Sequence, residues 1–189
     1  MTANKTKWVR LGDCIEPCDE RNSEGIKYPF YGLNKDKTFM PTVADTNGLD
    51  NTKYKIVRKG FFVFSGMQTG RDECIRLGLY REESPIIVSP AYTTFNVKDI
   101  TKLLPEYVFI YFSRDEMDRY GWFLSDGSIR SNLDWDRFCD IRIPLPPLEV
   151  QQSIVNVYHC MEEARRIAEA ARDELRTLCP ALVQKAINS

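Results

Sequence analysis

The chain has 189 residues, 43% apolar and 28% charged, and a formal net charge of −1. That length allows one ordinary domain plus an appendage, with enough apolar residues for a core that needs no disulfide staples. No apolar run approaches the ~18 residues of a membrane span, the opening "MTANKTKWVRLGD" lacks the apolar segment of a secretory signal, and near-neutrality excludes a simple polycationic DNA coat.

Six cysteines are scattered along the chain, and Cys14 and Cys18 form a lone C-x3-C. Zinc takes four ligands, and the sequence has one histidine, His159, so a metal site is not expected. Reduced thiols in a cytoplasmic protein are the simplest reading.

In chain order, residues 30–51 hold Asn, Asp, Gly, Pro and Thr at turn frequency and predict a long loop. "KYKIVRKG" (Lys53–Gly60) alternates apolar and charged residues before a glycine, predicting a half-buried strand that feeds the next. "FFVFSG" (Phe61–Gly66) and "PIIVSPAYTTFNV" (Pro85–Val97) are rich in β-branched and aromatic residues, and both read as strands. From Pro105, Tyr107, Ile110, Tyr111 and Met117 fall at helical intervals. Charge is segregated along this region: bases outnumber acids nine to five from Tyr31 to Arg81, and acids outnumber bases nine to five from Asp99 to Asp140. Such segregation can give a near-neutral protein one basic face.

"RIPLPPLEV" then leads into a rod. From Leu148 to Cys179 there is no Gly or Pro, a run of about 48 Å at helical rise. Val150, Ile154, Val157, Met161, Ala164, Ala168, Ala171, Leu175 and Leu178 recur in alternating steps of four and three, which is a heptad seam. The three alanines let a partner helix approach closely. Arg165 and Arg172 flank the seam on one side and Glu174 on the other, while Tyr158, Cys160 and Ile167 widen the apolar stripe. The rod either folds back on its own domain or pairs with another helix. Its length overhangs a domain of this size, which favours a second copy as partner. The expected division is a globular domain over 1–147 and a coiled-coil helix over 148–189, in a mixed α/β fold.

Catalytic motifs are missing from the sequence: no G-x-G-x-x-G, no phosphate loop, no G-x-S-x-G. No cofactor is expected, and His159 lies on the rod, one residue past Tyr158, where an active site would be odd.

The order of these parts resembles the DNA-specificity (S) subunit of type I restriction–modification systems. "KWVRLGDCIE" is similar to that family's opening strand and turn, "RKGFFVFSG" to its lysine–glycine stretch with Phe61 in place of the usual acid, and "SPAYTTFNV" to its central strand. "GSIRSNLDWDRFCDIRIPLPPLEVQQSI" is the nearest match, a Gly-Ser turn, helix and strand ending in Pro-Leu-Pro-Pro-Leu-Glu-x-Gln. "LCPALVQKAINS" resembles the end of the family's helical region, with Pro180 as an unusual interruption.

The resemblance implies a non-catalytic specificity subunit. A full subunit of that family carries two recognition domains and two helical regions, so this chain looks like a half-subunit. Implied partners are double-stranded DNA, a second copy, methyltransferase subunits and, through them, restriction subunits. The implied site is a bipartite palindrome with a spacer set by rod length. A coiled-coil protein scaffold without DNA specificity is the alternative. Candidate DNA contacts lie in the basic, loop-rich segments. Tyr31, Asn34, Lys35 and Lys37 combine phosphate-binding charge with an amide that can read adenine. Gln68, Arg71 and Arg76 follow a predicted strand, and Ser128, Arg130 and Asn132 supply donors in "GSIRSN". Asp36, Asp72 and Glu73 either accept from cytosine amino groups or solvate their loops.

Overall fold

In the computed structural model of the chain, residues 6–42, 48–67, 69–127 and 131–187 are described, at 177 and 180–186 by backbone alone. The chain divides into two compact units, Met1–Gln151 and Gln152–Ser189. The first begins with β1 (Lys7–Arg10), α1 (Leu11–Cys14) and β2 (Ile15–Pro17). A hairpin of β3 (Tyr31–Leu33) and β4 (Phe39–Pro41) follows, then β5 (Lys55–Val57), β6 (Phe62–Ser65), the short α2 (Thr69–Asp72), β7 (Arg76–Leu79), β8 (Ile86–Val88) and β9 (Thr93–Val97). Helices α3 (Pro105–Phe112), α4 (Asp115–Leu124) and α5 (Trp135–Asp140) precede β10 (Arg142–Leu145), and α6 (Leu148–Ile187) ends the chain. This is the mixed α/β architecture with a long C-terminal helix that the sequence predicts.

The central sheet has the order β2-β9-β6-β7 and is antiparallel throughout. Phe62 stands opposite Phe95 in the register, and their rings stack at 4.8 Å. Phe138 of α5 stacks on Phe64 at 4.3 Å and meets Phe112 of α3 at 5.2 Å. Helices and sheet therefore share one aromatic core, where stacked and tilted rings add to the burial energy. A second cluster joins Leu33, Val57, Val63, Tyr80, Ile86 and Val88. The unit is closed by β1 pairing antiparallel with β10, Lys7 opposite Leu145 and Arg10 opposite Arg142.

Several elements differ from expectation, each for a local reason. The loop expected over 30–51 contains the β3–β4 hairpin, because Leu33 is buried and Tyr31 and Phe39 pack on the second cluster. Apolar anchoring overrides the turn-rich composition there. Pro85–Val97 is two strands in different sheets, with Tyr92 N–H donating to Ser89 O at 3.1 Å in the turn between them. β5 pairs with β8 rather than β6, and all three of its residues are buried. Lys55 tolerates that burial through its ion pair with Asp19 at 3.0 Å. The helical pattern from Pro105 breaks at Arg114, whose backbone is extended. Ser113 Oγ donates to Phe109 O and Arg114 Nε to Tyr111 O, and three acids in the first turn of α4 favour a new N-terminus.

The proline segment before α6 holds a further feature. Pro147 O accepts from Val150 and Gln151 N–H and starts α6. The Gln151 side chain, fully buried, accepts from Leu104 N–H at 2.9 Å and donates to Lys102 O at 2.8 Å and Pro146 O at 2.9 Å.

In the second unit the α6 backbone stays helical through Pro180 to Ile187, even though proline removes one helical hydrogen bond. Arg165–Glu169 and Arg166–Glu163 pair along the helix at 2.9 and 2.7 Å. No described helix is long and apolar enough to cross a membrane.

Candidate nucleic-acid interface

Three connections of the first unit meet on one side, and each carries a residue in the left-handed region. The β3–β4 turn holds Lys37 at φ +61°, the β6–β7 connection holds Glu73 at φ +53°, and the segment after α4 holds Ser131 at φ +48°. These are all the non-glycine residues with positive φ among those described. Such conformations cost about 1–3 kcal/mol each and persist where the surroundings fix them.

The fixing contacts are specific. Asn34 closes the first turn on Thr38: its Oδ1 accepts from Thr38 N–H at 2.9 Å and its Nδ2 donates to Thr38 Oγ1 at 2.6 Å. Lys37 Nζ then reaches across to α4, where both carboxylate oxygens of Asp118 accept from it at 2.6 and 2.7 Å. Asp118 Oδ1 also accepts from Ile75 N–H at 2.9 Å, tying the β6–β7 connection to the same point. That connection is held to the third segment by Gly70 N–H donating to Ser131 O and Leu133 N–H donating to Gly66 O, both at 2.9 Å. Glycine is required at this approach: a Cβ at Gly66 would stand 1.7 Å from Leu133 O, and one at Gly70 2.6 Å from Ser131 Cβ.

Asp72 lies at the centre, its side chain only 3% exposed. Lys35 Nζ, Arg71 Nε and Arg76 Nη2 surround its carboxylate, the first two at 3.3 and 3.2 Å. Burial pushes the Asp72 carboxyl up, but Lys35, Arg76 and Arg71 together outweigh it and hold it below the usual carboxylate range. The three cations differ in access: Lys35 and Arg71 are 59% and 62% exposed, whereas Arg76 is mostly covered, with its Nε buried and lacking a hydrogen-bond partner. The result is a buried anion beneath an exposed cationic surface.

The expected DNA contacts are distributed unevenly over this surface. Lys35, Arg71 and Arg76 come together. Asn132 lies in the third segment, half-buried, with its N–H donating to Asp126 Oδ1 at 3.0 Å. Tyr31 sits in β3 against the second cluster, and the Asn34 amide is engaged within its own turn. Lys37, read from sequence as a phosphate-binding charge, has a side chain 7% exposed and committed to Asp118; in this fold it is an internal tie. Gln68, Ser128 and Arg130 lie outside the described residues. Asp118 and the burial of Asp72 escaped the sequence reading, since both depend on segments up to 81 positions apart meeting in space. The nine seam residues from Val150 to Leu178 lie along α6, and all are exposed. Among the described residues no group of three or more His, Cys, Asp or Glu side chains could hold a metal ion.

The sequence model of a family described as type I restriction modification DNA specificity domain matches residues 10–175. No curated protein matches significantly. Among solved structures the chain is similar to the HsdS subunit from Thermoanaerobacter tengcongensis, with 20% identity, a TM-score of 0.66, and coverage of 96% of this chain and 48% of that one. It is similar to the S subunit of a type I restriction-modification system from M. genitalium at 13% identity and TM-score 0.56, covering 86% and 41%. A chain from a structure of complex assembly and conformational transition of the type I R-M system matches at 17% identity and TM-score 0.57, covering 92% and 42%. At such identities the likeness is one of fold. The chain spans less than half the length of each of these structures.

Proposed function

The chain belongs to the type I restriction-modification DNA specificity family, and from that membership we propose that it is a non-catalytic subunit that recognises DNA sequence and delivers methyltransferase and restriction subunits to it. The observation that carries this reading is the convergence of three strained connections that present Lys35 and Arg71 on one surface. Long cationic donors on short, fixed loops suit both phosphate contact and bidentate reading of guanine in the major groove.

The second half of the proposal is a homodimer through α6 that reads a bipartite palindrome. An antiparallel coiled coil sets one heptad class against the other in each layer. One register does this over Val150 to Leu175 and gives every seam alanine a large partner: Ala171 faces Ile154, Ala168 faces Val157 and Ala164 faces Met161 of the second copy. The same register sets Ile167 against Cys160 and Tyr158 against Arg165 along the flanks, which accounts for the width of the apolar stripe. The outer edges of that stripe are where methyltransferase subunits would dock.

Methylome mapping of cells carrying the chain with its methyltransferase subunits tests the whole reading. The expected result is methylation confined to one palindromic sequence of two half-sites and a fixed spacer. Methylation independent of this chain, or without sequence preference, overturns it. A partner protein held by the loops, with no DNA selectivity, is the outcome that would support the scaffold alternative.

A further inference from the structure

Asp72 is an unusual feature for a DNA-facing surface, because a carboxylate near phosphate normally repels it. Here the carboxylate is buried, while the side chains of Lys35 and Arg71 around it are exposed. Its partners come from three places: Lys35 from the β3–β4 turn, Arg71 from α2 between β6 and β7, and Arg76 from the start of β7. From this arrangement we infer that Asp72 is a specificity-determining positioning residue, an internal counter-ion that aims Lys35 and Arg71 and reduces their attraction for phosphate of any sequence. The inference rests on the DNA-recognition reading proposed above.

Two physical consequences distinguish this role from simple stabilisation. Untethered Lys and Arg side chains sample many rotamers, and ordering them on DNA costs affinity at the very contacts that read bases. A shared carboxylate removes most of that cost before binding. The carboxylate also cancels one of three positive charges, so fewer cations are free to displace counter-ions from the duplex. Sequence-independent binding scales with the number of phosphates neutralised, and lowering it widens the gap between specific and non-specific complexes. Arg76, largely covered and bonded to Asp72, anchors the cluster from below. The ion pairs hold the Asp72 carboxyl below the ordinary carboxylate range, so it carries its charge at neutral pH.

The test is selection from a pool of randomised duplexes by the full chain with its methyltransferase subunits, followed by sequencing, alongside binding of a scrambled duplex over a series of salt concentrations. For Asp72→Asn the expected result is tighter binding of the scrambled duplex, a salt slope steeper by about one, and enrichment of the wild-type motif reduced roughly tenfold. A folded Asp72→Asn complex with wild-type enrichment and slope overturns the role of Asp72. If Asp72→Asn proves too unstable to purify, Asp72→Glu keeps the charge and alters only its reach. Reduced enrichment at an unchanged salt slope then supports the aiming role, and wild-type enrichment overturns it. A wild-type complex that enriches no sequence overturns the DNA-recognition reading itself, a result distinct from either of these.

Discussion

Lys37 and Lys35 stand two residues apart on one tight turn, and their ammonium groups end in different surroundings. Lys35 points outward over Asp72, while Lys37, in the left-handed conformation, turns inward to Asp118. Removing one partner of a covered ion pair leaves the other desolvated without compensation, at a cost of ~3–5 kcal/mol when both are fully buried. Asp118 retains some solvent and the Ile75 N–H, so Lys37→Ala should cost less, about 2–3 kcal/mol. Urea denaturation measures it. The same variant should leave the salt slope of DNA binding unchanged, whereas loss of a phosphate contact lowers that slope by about one.

At the scale of elements, the proline segment before α6 is held by a side chain. Gln151 satisfies Leu104 N–H, Lys102 O and Pro146 O from one buried amide. Gln151→Ala would leave all three without that partner, and thermal or urea unfolding should register about 2–4 kcal/mol of lost stability. Gln151→Glu should fare no better, because a carboxylate cannot donate to the two carbonyls. Strands such as Phe62–Ser65 and the long helix were legible in the sequence because their patterns are local: continuous apolar residues bounded by turns, and heptads without a break. The β3–β4 hairpin was not, since three-residue strands carry too little periodicity and their burial depends on Val63 and Tyr80 elsewhere in the chain. The candidate interface was half legible for the same reason. Composition marked Lys35, Arg71 and Arg76 as cations on loops, but their convergence depends on a single buried carboxylate and on glycines at Gly66 and Gly70 that admit the third segment.

For the whole molecule, the proposed antiparallel register makes a prediction about pairs of residues in different copies. Val157→Ala alone should thin two layers of the coiled coil and Ala168→Val alone should overfill the same two; each should weaken dimerisation at least roughly tenfold. Combining the two substitutions restores the volume of each layer, since the enlarged side chain at position 168 of one copy then meets the shortened one at position 157 of the other. The dimer constant of that double variant should return to within a few-fold of wild type. Sedimentation equilibrium on the three variants decides it; additive weakening in the double variant rejects the register. In the first unit, the opening strand β1 and the closing strand β10 lie side by side with Arg10 opposite Arg142, so the candidate interface enters and leaves through a single two-stranded ribbon. Both ends of residues 11–141 are thus fixed side by side, so a substitution that unpairs β1 from β10 would loosen the segment at both ends at once.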